Sequence, residues 1–166
     1  MNTPSNPPEI LDDIDRRMVT ALVDDGRLSM RSLAERVHIS RAGAYSRLDR
    51  LLTSGVVTGF SARVDPARAG LSTSAYVSLS IAQDAWREIR THLRSVRYVE
   101  HVALVAADFD VLVLVRTPDN ATLRDVVLEE LQAIPGVRAT RTWLIFADED
   151  GPGAWTDDPR DPHPNG

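Results

Sequence analysis

The chain has 166 residues, 43% hydrophobic and 26% charged, with no cysteine and a formal net charge of −5. That is the composition of a globular protein of one or two small domains, held by packing alone. Disulfides and thiolate metal sites are excluded, and no apolar run reaches the ~20 residues of a membrane span.

Residues 1–9 are rich in Pro, Asn and Ser and are expected to form a disordered arm. Helical periodicity starts at Leu11, with Leu11, Ile14, Met18 and Leu22 spaced three, four and four apart. Asp12, Asp13 and Asp15 suit the positive end of that helix. DDGR, 24–27, ends it. Ser29 caps a second helix with Leu33, Ala34 and Val37 inward, and His38-Ile39 makes a short break. Ser40 then caps a third helix, which buries Ala44, Leu48, Leu51 and Leu52 and stops at Gly55. Residues 56–65 read as a short strand pair, a small wing or a linker. This is a helix-turn-helix, winged-helix-like domain over 10–58, with a linker over 59–73.

After Pro66 the period changes. Ala75, Val77, Leu79 and Ile81 alternate with Tyr76, Ser78 and Ser80, a half-buried strand. Trp86, Ile89 and Leu93 line a helix. Strands follow at 99–106 and 110–116. Asn120 is the expected cap of a helix with Leu123, Val127, Leu131 and Ile134 inward, and a last strand spans 137–146. The order βαββαβ is the ferredoxin-like unit, so the fold class is α+β, with this second domain over 74–147. Its helices would cover one sheet face. Apolar groups on the other, for instance Leu144 and Phe146, point to a partner subunit. The acidic segment 148–166 is expected to be a disordered tail.

That tail holds six acids against Arg160, so it carries the whole −5 and the preceding residues sum to zero. From Gly26 to Arg63 there are seven arginines, Arg31 among them, against Glu35 and Asp49. Such a local basic segment attracts nucleic acid. Two helices joined by a tight turn, the second basic and serine-capped, form a DNA-reading pattern. Arg41, Ala42, Tyr45 and Ser46 lie off the apolar row near the helix start and are the candidates for base contact. Ser40 is the cap, and Arg50, a turn further on, suits a phosphate. Arg47 suits either DNA or an acid of the first helix. Gly43 either permits close backbone approach or is merely tolerated.

LDDIDRRMVTAL (11–22), DGRLSMRSLAERVHIS (25–40), SRLDRLLTSGVVTGFSARVDP (46–66), DFDVLVLV (108–115) and IPGVRATRT (134–142), in this order and spacing, resemble the Lrp/AsnC family of transcription regulators. The resemblance implies a DNA-binding domain on a pseudo-palindromic operator. It also implies a C-terminal domain that dimerises and senses an amino acid or branched keto acid, and dimers that assemble to tetramers or octamers. It puts the family's helix-turn-helix arginine at Arg47 and its turn glycine at Gly55. It implies an effector site at Ala106, Ala107, Asp108, Phe109 and Asp110, with Thr140 and Thr142. His101 lies near that site. Where the family usually has Gly-Asp-Tyr-Asp, this chain has Ala107-Asp108-Phe109-Asp110. The alanine narrows the pocket, changes the ligand class or abolishes binding, since glycine alone permits positive φ freely. Asp108 and Asp110 have the alternative role of capping strand entry, and Phe109 that of packing in an interface.

His38, His92, His101 and His163 share no metal-ligand spacing, and no phosphate loop or nucleophile elbow occurs, so no cofactor, metal or catalytic residue is expected. Two alternatives stand beside the regulator. One is an effector-independent, nucleoid-like DNA-organising protein. The other is a sirohaem decarboxylase-like enzyme of the same architecture, using His101 with Arg97. The first ten residues, MNTPSNPPEI, lack the basic and apolar regions of a secretion signal, so a cytoplasmic protein is expected.

Overall fold

The computed structural model describes residues 10–149, Gly151 and Trp155. The expected arm at 1–9 lies outside the described residues, as does nearly all of the expected tail. The chain divides into two compact units, one built from residues up to Ala62 and one from Arg63 to Glu149.

The first unit is three helices: α1 (Asp13–Asp24), α2 (Met30–Arg36) and α3 (Arg41–Thr53). Each starts where a side chain accepts an N–H of its first turn. Asp12 takes Asp15 N–H, Ser29 takes Ser32 N–H and Ser40 takes Gly43 N–H. The core is Met18, Val19, Ala21, Leu22, Leu33, Val37 and Leu51. Leu52, expected inside, is 41% exposed. Ala44, Leu48 and Leu51 are spaced four and three apart on one face, and Leu52 lies about 100° beyond Leu51. His38 makes the turn between α2 and α3 at φ 58°, a left-handed conformation that costs a β-carbon-bearing residue free energy.

Of the readings open to 56–65, the strand pair does not form: no strand occurs between 54 and 72, and the segment is a linker. Val56 and Val57 instead pack on the helical core, with Val57 N–H donating to Leu51 O at 2.9 Å. Phe60 and Val64 are exposed.

The second unit is β1 (Thr73–Ile81), α4 (Trp86–Leu93), β2 (Val99–Leu104), β3 (Val111–Thr117), α5 (Asn120–Asp125) and β4 (Val137–Ile145). Past α5 the chain stays helical over Val126–Leu131 but widens to π winding, with Gln132 N–H bonded to Val127 O, five residues back. The sheet is antiparallel in the order β2-β3-β1-β4. Ala75, Val77, Leu79, Val111, Val113 and Val115 face the helices and meet Ile89, Leu93, Leu123, Val127 and Leu131. The cap of α5 is Asp119, not Asn120. The Asp119 carboxylate takes Thr122 N–H at 2.7 Å, while Asn120 accepts a bond from the Thr73 hydroxyl. Asp119 has the extended backbone of a cap, and a charged acceptor makes the stronger bond.

Cross-strand pairs share a face, so Tyr76 opposite Trp143 and Leu114 belongs to the face the helices leave open. Tyr76 and Trp143 are exposed there. Leu144 lies opposite Ala75, on the helix side of the edge strand β4.

Candidate functional site

On α3, Arg41, Ala42, Tyr45 and Ser46 are all exposed, opposite the buried Ala44 and Leu51. The Arg41 guanidinium lies 5.7 Å over the Tyr45 ring, a cation–π contact that holds the two together at the helix start. Gly43 has a role that its sequence context did not show. A β-carbon there would stand 3.2 Å from Ser40 Oγ, the atom that accepts the Gly43 N–H at 3.1 Å. Glycine leaves the cap its room. Arg31 on α2 is spanned to Glu35 at 3.0 Å, one turn on, and both are exposed.

Arg47 and Arg50 turn inward toward α1. Arg47 Nη1 donates to Asp12 Oδ2 at 2.6 Å and to Asp15 Oδ1 at 2.7 Å, and Arg50 Nη2 donates to Asp15 Oδ2 at 2.7 Å. Of the two roles open to Arg47, the structure displays the pairing with an acid of the first helix. Asp15, which sequence reasoning read only as a first-turn acid, is buried. Its N–H and carboxylate also close a capping box with Asp12.

The Asp15 N–H and the Arg47 guanidinium hold the Asp12 carboxyl down at about 2, from an ordinary 3.8. A folded-state pKa below the unfolded one adds stability above the unfolded value that is lost as pH falls through the folded one. The thermal midpoint of the helical unit is therefore expected to fall between pH 3.8 and about 2. Asp12→Asn retains a cap acceptor and removes the titration, so circular-dichroism melts across this window should show a shallower decline. An equal decline in both proteins would place the acid sensitivity elsewhere.

In the second unit, Ala106, Ala107 and Asp108 are exposed, while Phe109 and Asp110 are half-buried. Asp110 ties this loop to the end of β1. Its N–H donates to Leu79 O at 3.0 Å, its Oδ2 accepts Ile81 N–H at 2.8 Å and its carbonyl accepts Val105 N–H at 2.9 Å. That is the strand-capping role. Ala107 is not among the residues with positive φ, so the loop closes without a left-handed residue there. Phe109 lies against Trp143, ring centroids 6.0 Å apart.

Thr140 and Thr142 pair with Leu79 and Val77, which puts them on the helix side of β4, and Thr140 Oγ1 accepts a bond from Gln132 Nε2 at 2.7 Å. Asp110, just ahead of β3, and Thr140 on β4 thus flank Leu79 from its two sides. His101 is apart from them, exposed on β2 opposite Leu114 on the open face.

At the far end of β2 and β3 from this loop lies a cleft of about 430 Å³, lined by Ala69, Leu71, Arg97, Tyr98, Val99, Glu100 and Arg116. Arg116 sits in it 12% exposed, paired with Glu100 at 2.6 Å and Asp148 at 2.7 Å. Burial pulls the Arg116 pKa down, but the Asp148 and Glu100 carboxylates outweigh it and the net shift is upward. Tyr98 holds a left-handed φ of 71° with Arg97 stacked over its ring at 4.7 Å. Nothing in the spacing of Arg97, Glu100 and Arg116 marked this cluster in the sequence. Among the described residues, no three or more His, Asp or Glu gather as a metal site, and no helix is long and apolar enough to cross a membrane.

A model of winged helix-turn-helix DNA-binding domains matches residues 11–58, and a model of the Lrp/AsnC ligand binding domain matches residues 74–149. The chain is 38% identical over 153 residues to the HTH-type transcriptional regulator AldR of Mycolicibacterium smegmatis, covering 88% of this chain and 90% of that one. It is 30% identical to the leucine-responsive regulatory protein of Escherichia coli, with 88% and 91% covered. The fold is similar to the crystal structure of the Mycobacterium tuberculosis leucine response regulatory protein, with a TM-score of 0.75, 33% identity and 85% and 96% covered. It is likewise similar to a transcriptional regulator from Neisseria meningitidis in complex with L-methionine, with a TM-score of 0.80, 25% identity and 86% and 94% covered.

Proposed function

The chain belongs to the Lrp/AsnC family of transcription regulators, and on that premise we propose that it reads a pseudo-palindromic operator through α3 and answers to an amino acid or branched keto acid. One observation carries the DNA half of this reading: from a Ser40-capped start, α3 presents Arg41, Ala42, Tyr45 and Ser46 outward on a well-packed helical unit. An arginine there can take guanine O6 and N7, and the free N–H groups of the helix start suit a phosphate. In this reading the chain acts in the cytoplasm without catalysing a reaction.

The open sheet face, with Tyr76, Leu114 and Trp143, is the surface we assign to dimerisation, and dimers assemble to tetramers or octamers. A two-fold pair of α3 helices then meets successive major grooves about one DNA turn, roughly 34 Å, apart. We assign the effector to the 106–110 loop with Thr140 and Thr142, and the family resemblance supports this reading. The methionine complex of the Neisseria regulator supports an amino acid as its class. The ligand changes the assembly only as far as it binds one form more tightly than another.

Two measurements test this. Arg41→Ala should weaken binding to a duplex selected from a random pool by roughly tenfold or more, and binding to a scrambled duplex far less. An equal loss on both would make Arg41 a phosphate contact. In a thermal-shift panel of amino acids and branched keto acids, a binder should raise the unfolding temperature. Thr142→Val should shrink that rise without moving the ligand-free temperature, and an unchanged rise would remove Thr142 from the effector site.

A further inference from the structure

Asp15 is the only ionisable residue buried among the described ones, and it belongs to α1, which presents no candidate base contact. We propose that Asp15 is a positioning residue for DNA discrimination: it sets the roll of α3 and keeps Arg47 and Arg50 from indiscriminate phosphate contact. This rests on the reading of α3 as the DNA-reading helix.

The geometry is specific. The two carboxylate oxygens of Asp15 each take one arginine of α3, at 2.7 Å, and the two arginines stand three residues apart, flanking the acid. Asp12 adds a second acceptor to Arg47 at 2.6 Å, so two acids of α1 meet two bases of α3. Rotating α3 about its axis would lengthen one Asp15 bond as it shortened the other. Packing of Leu48 and Leu51 resists such rotation toward the helix end, while toward its start the buried group is only Ala44. A charge-assisted bond is directional, and base readout needs that directionality. Arg41 and Tyr45 ride on the same helix, so any roll displaces them.

A buried ion pair gives up solvation and often adds little net stability, whereas fixing a register is its best-attested use. The second effect is one of charge. Phosphate contacts bind every sequence alike, so each guanidinium held by α1 is withheld from sequence-blind binding.

The test uses the full-length protein, a duplex selected by the wild type from a random pool, and a scrambled duplex of the same composition. Binding is measured over a salt series. Asp15→Asn is expected to reduce the ratio of selected to scrambled affinity by roughly tenfold. It should also steepen the salt dependence on scrambled DNA by up to about 0.9 in log–log slope for each phosphate gained. Adding Arg47→Gln and Arg50→Gln to Asp15→Asn should return that slope to the wild-type value or below.

A folded Asp15→Asn protein with unchanged ratio and slope overturns the proposal, and so does one that loses both affinities equally at constant slope. If Asp15→Asn does not fold, Asp12→Asn decides, since asparagine still caps α1 and only the charge on Arg47 is lost. A smaller shift in the same direction supports the proposal and no shift overturns it. A wild type that cannot tell the two duplexes apart would instead overturn the DNA-reading assignment itself.

Discussion

Gly136→Ala is expected to destabilise the sheet unit by on the order of 3 kcal/mol, the sum of two separate penalties. Gly136 turns the chain into β4 at φ 91°, a left-handed conformation that costs alanine roughly 1–3 kcal/mol. Its added β-carbon would also stand 2.5 Å from Ala85 Cβ and 3.5 Å from Ile89 Cδ1. The Ile89 contact is an ordinary van der Waals one, but Ala85 Cβ is fixed to the backbone and cannot swing aside. Ala85 opens α4, and its position is fixed by Ala82, whose N–H donates to Gly136 O at 2.8 Å. Overpacking of that kind costs roughly 1–3 kcal/mol more. For a unit of this size the melting temperature should drop on the order of 10–20 °C. Gly70→Ala is the control, because Gly70 has φ 87° with nothing within 4 Å of a β-carbon. It should incur the backbone cost alone. Equal drops in the two variants would eliminate the packing half of the account.

Leu51→Ala is expected to unfold the helical unit while the sheet unit persists. Leu51 is fully buried against the core that contains Met18, Leu22, Leu33 and Val37. Truncating a leucine in such a site costs roughly 2–5 kcal/mol. A three-helix unit this small rarely holds more than a few kcal/mol of net stability. Calorimetry should show the helical transition lost or moved far down, the sheet transition kept, and DNA binding abolished at 25 °C. Leu52→Ala, one residue along and 41% exposed, should change stability by less than about 0.5 kcal/mol. If Leu52→Ala proved as costly as Leu51→Ala, the core assigned to α3 would be wrong.

What could be read in the sequence followed local rules. Ser29 and Ser40 announced their helices because a cap is a contact across three residues. The alternation around Val77 announced β1 because a strand's period is two. What could not be read was decided across distance. Arg47 had two partners of equal merit until Asp12 and Asp15, more than thirty residues earlier, came within 2.7 Å. Leu52 looked like core because hydrophobicity does not say which side of a crowded apolar row runs out of partners. Residues 56–65 had strand-like composition, but Val56 and Val57 were needed by the helices, a demand visible only once α1 and α3 are packed. Asp110 carried both a ligand role and a capping role on paper, and its bond to Ile81 N–H displays the second.

The wide winding at Val126–Leu131 has a consequence for how this chain can change length. A π turn holds one more residue than an α turn between the same two ends. Deleting a single residue there would let the helix relax to ordinary pitch with Leu123 and Ile134 still facing the sheet, whereas a deletion in β1 would turn a whole strand inside out. In an alignment of relatives, a one-residue gap is therefore to be sought at 126–131 before any strand.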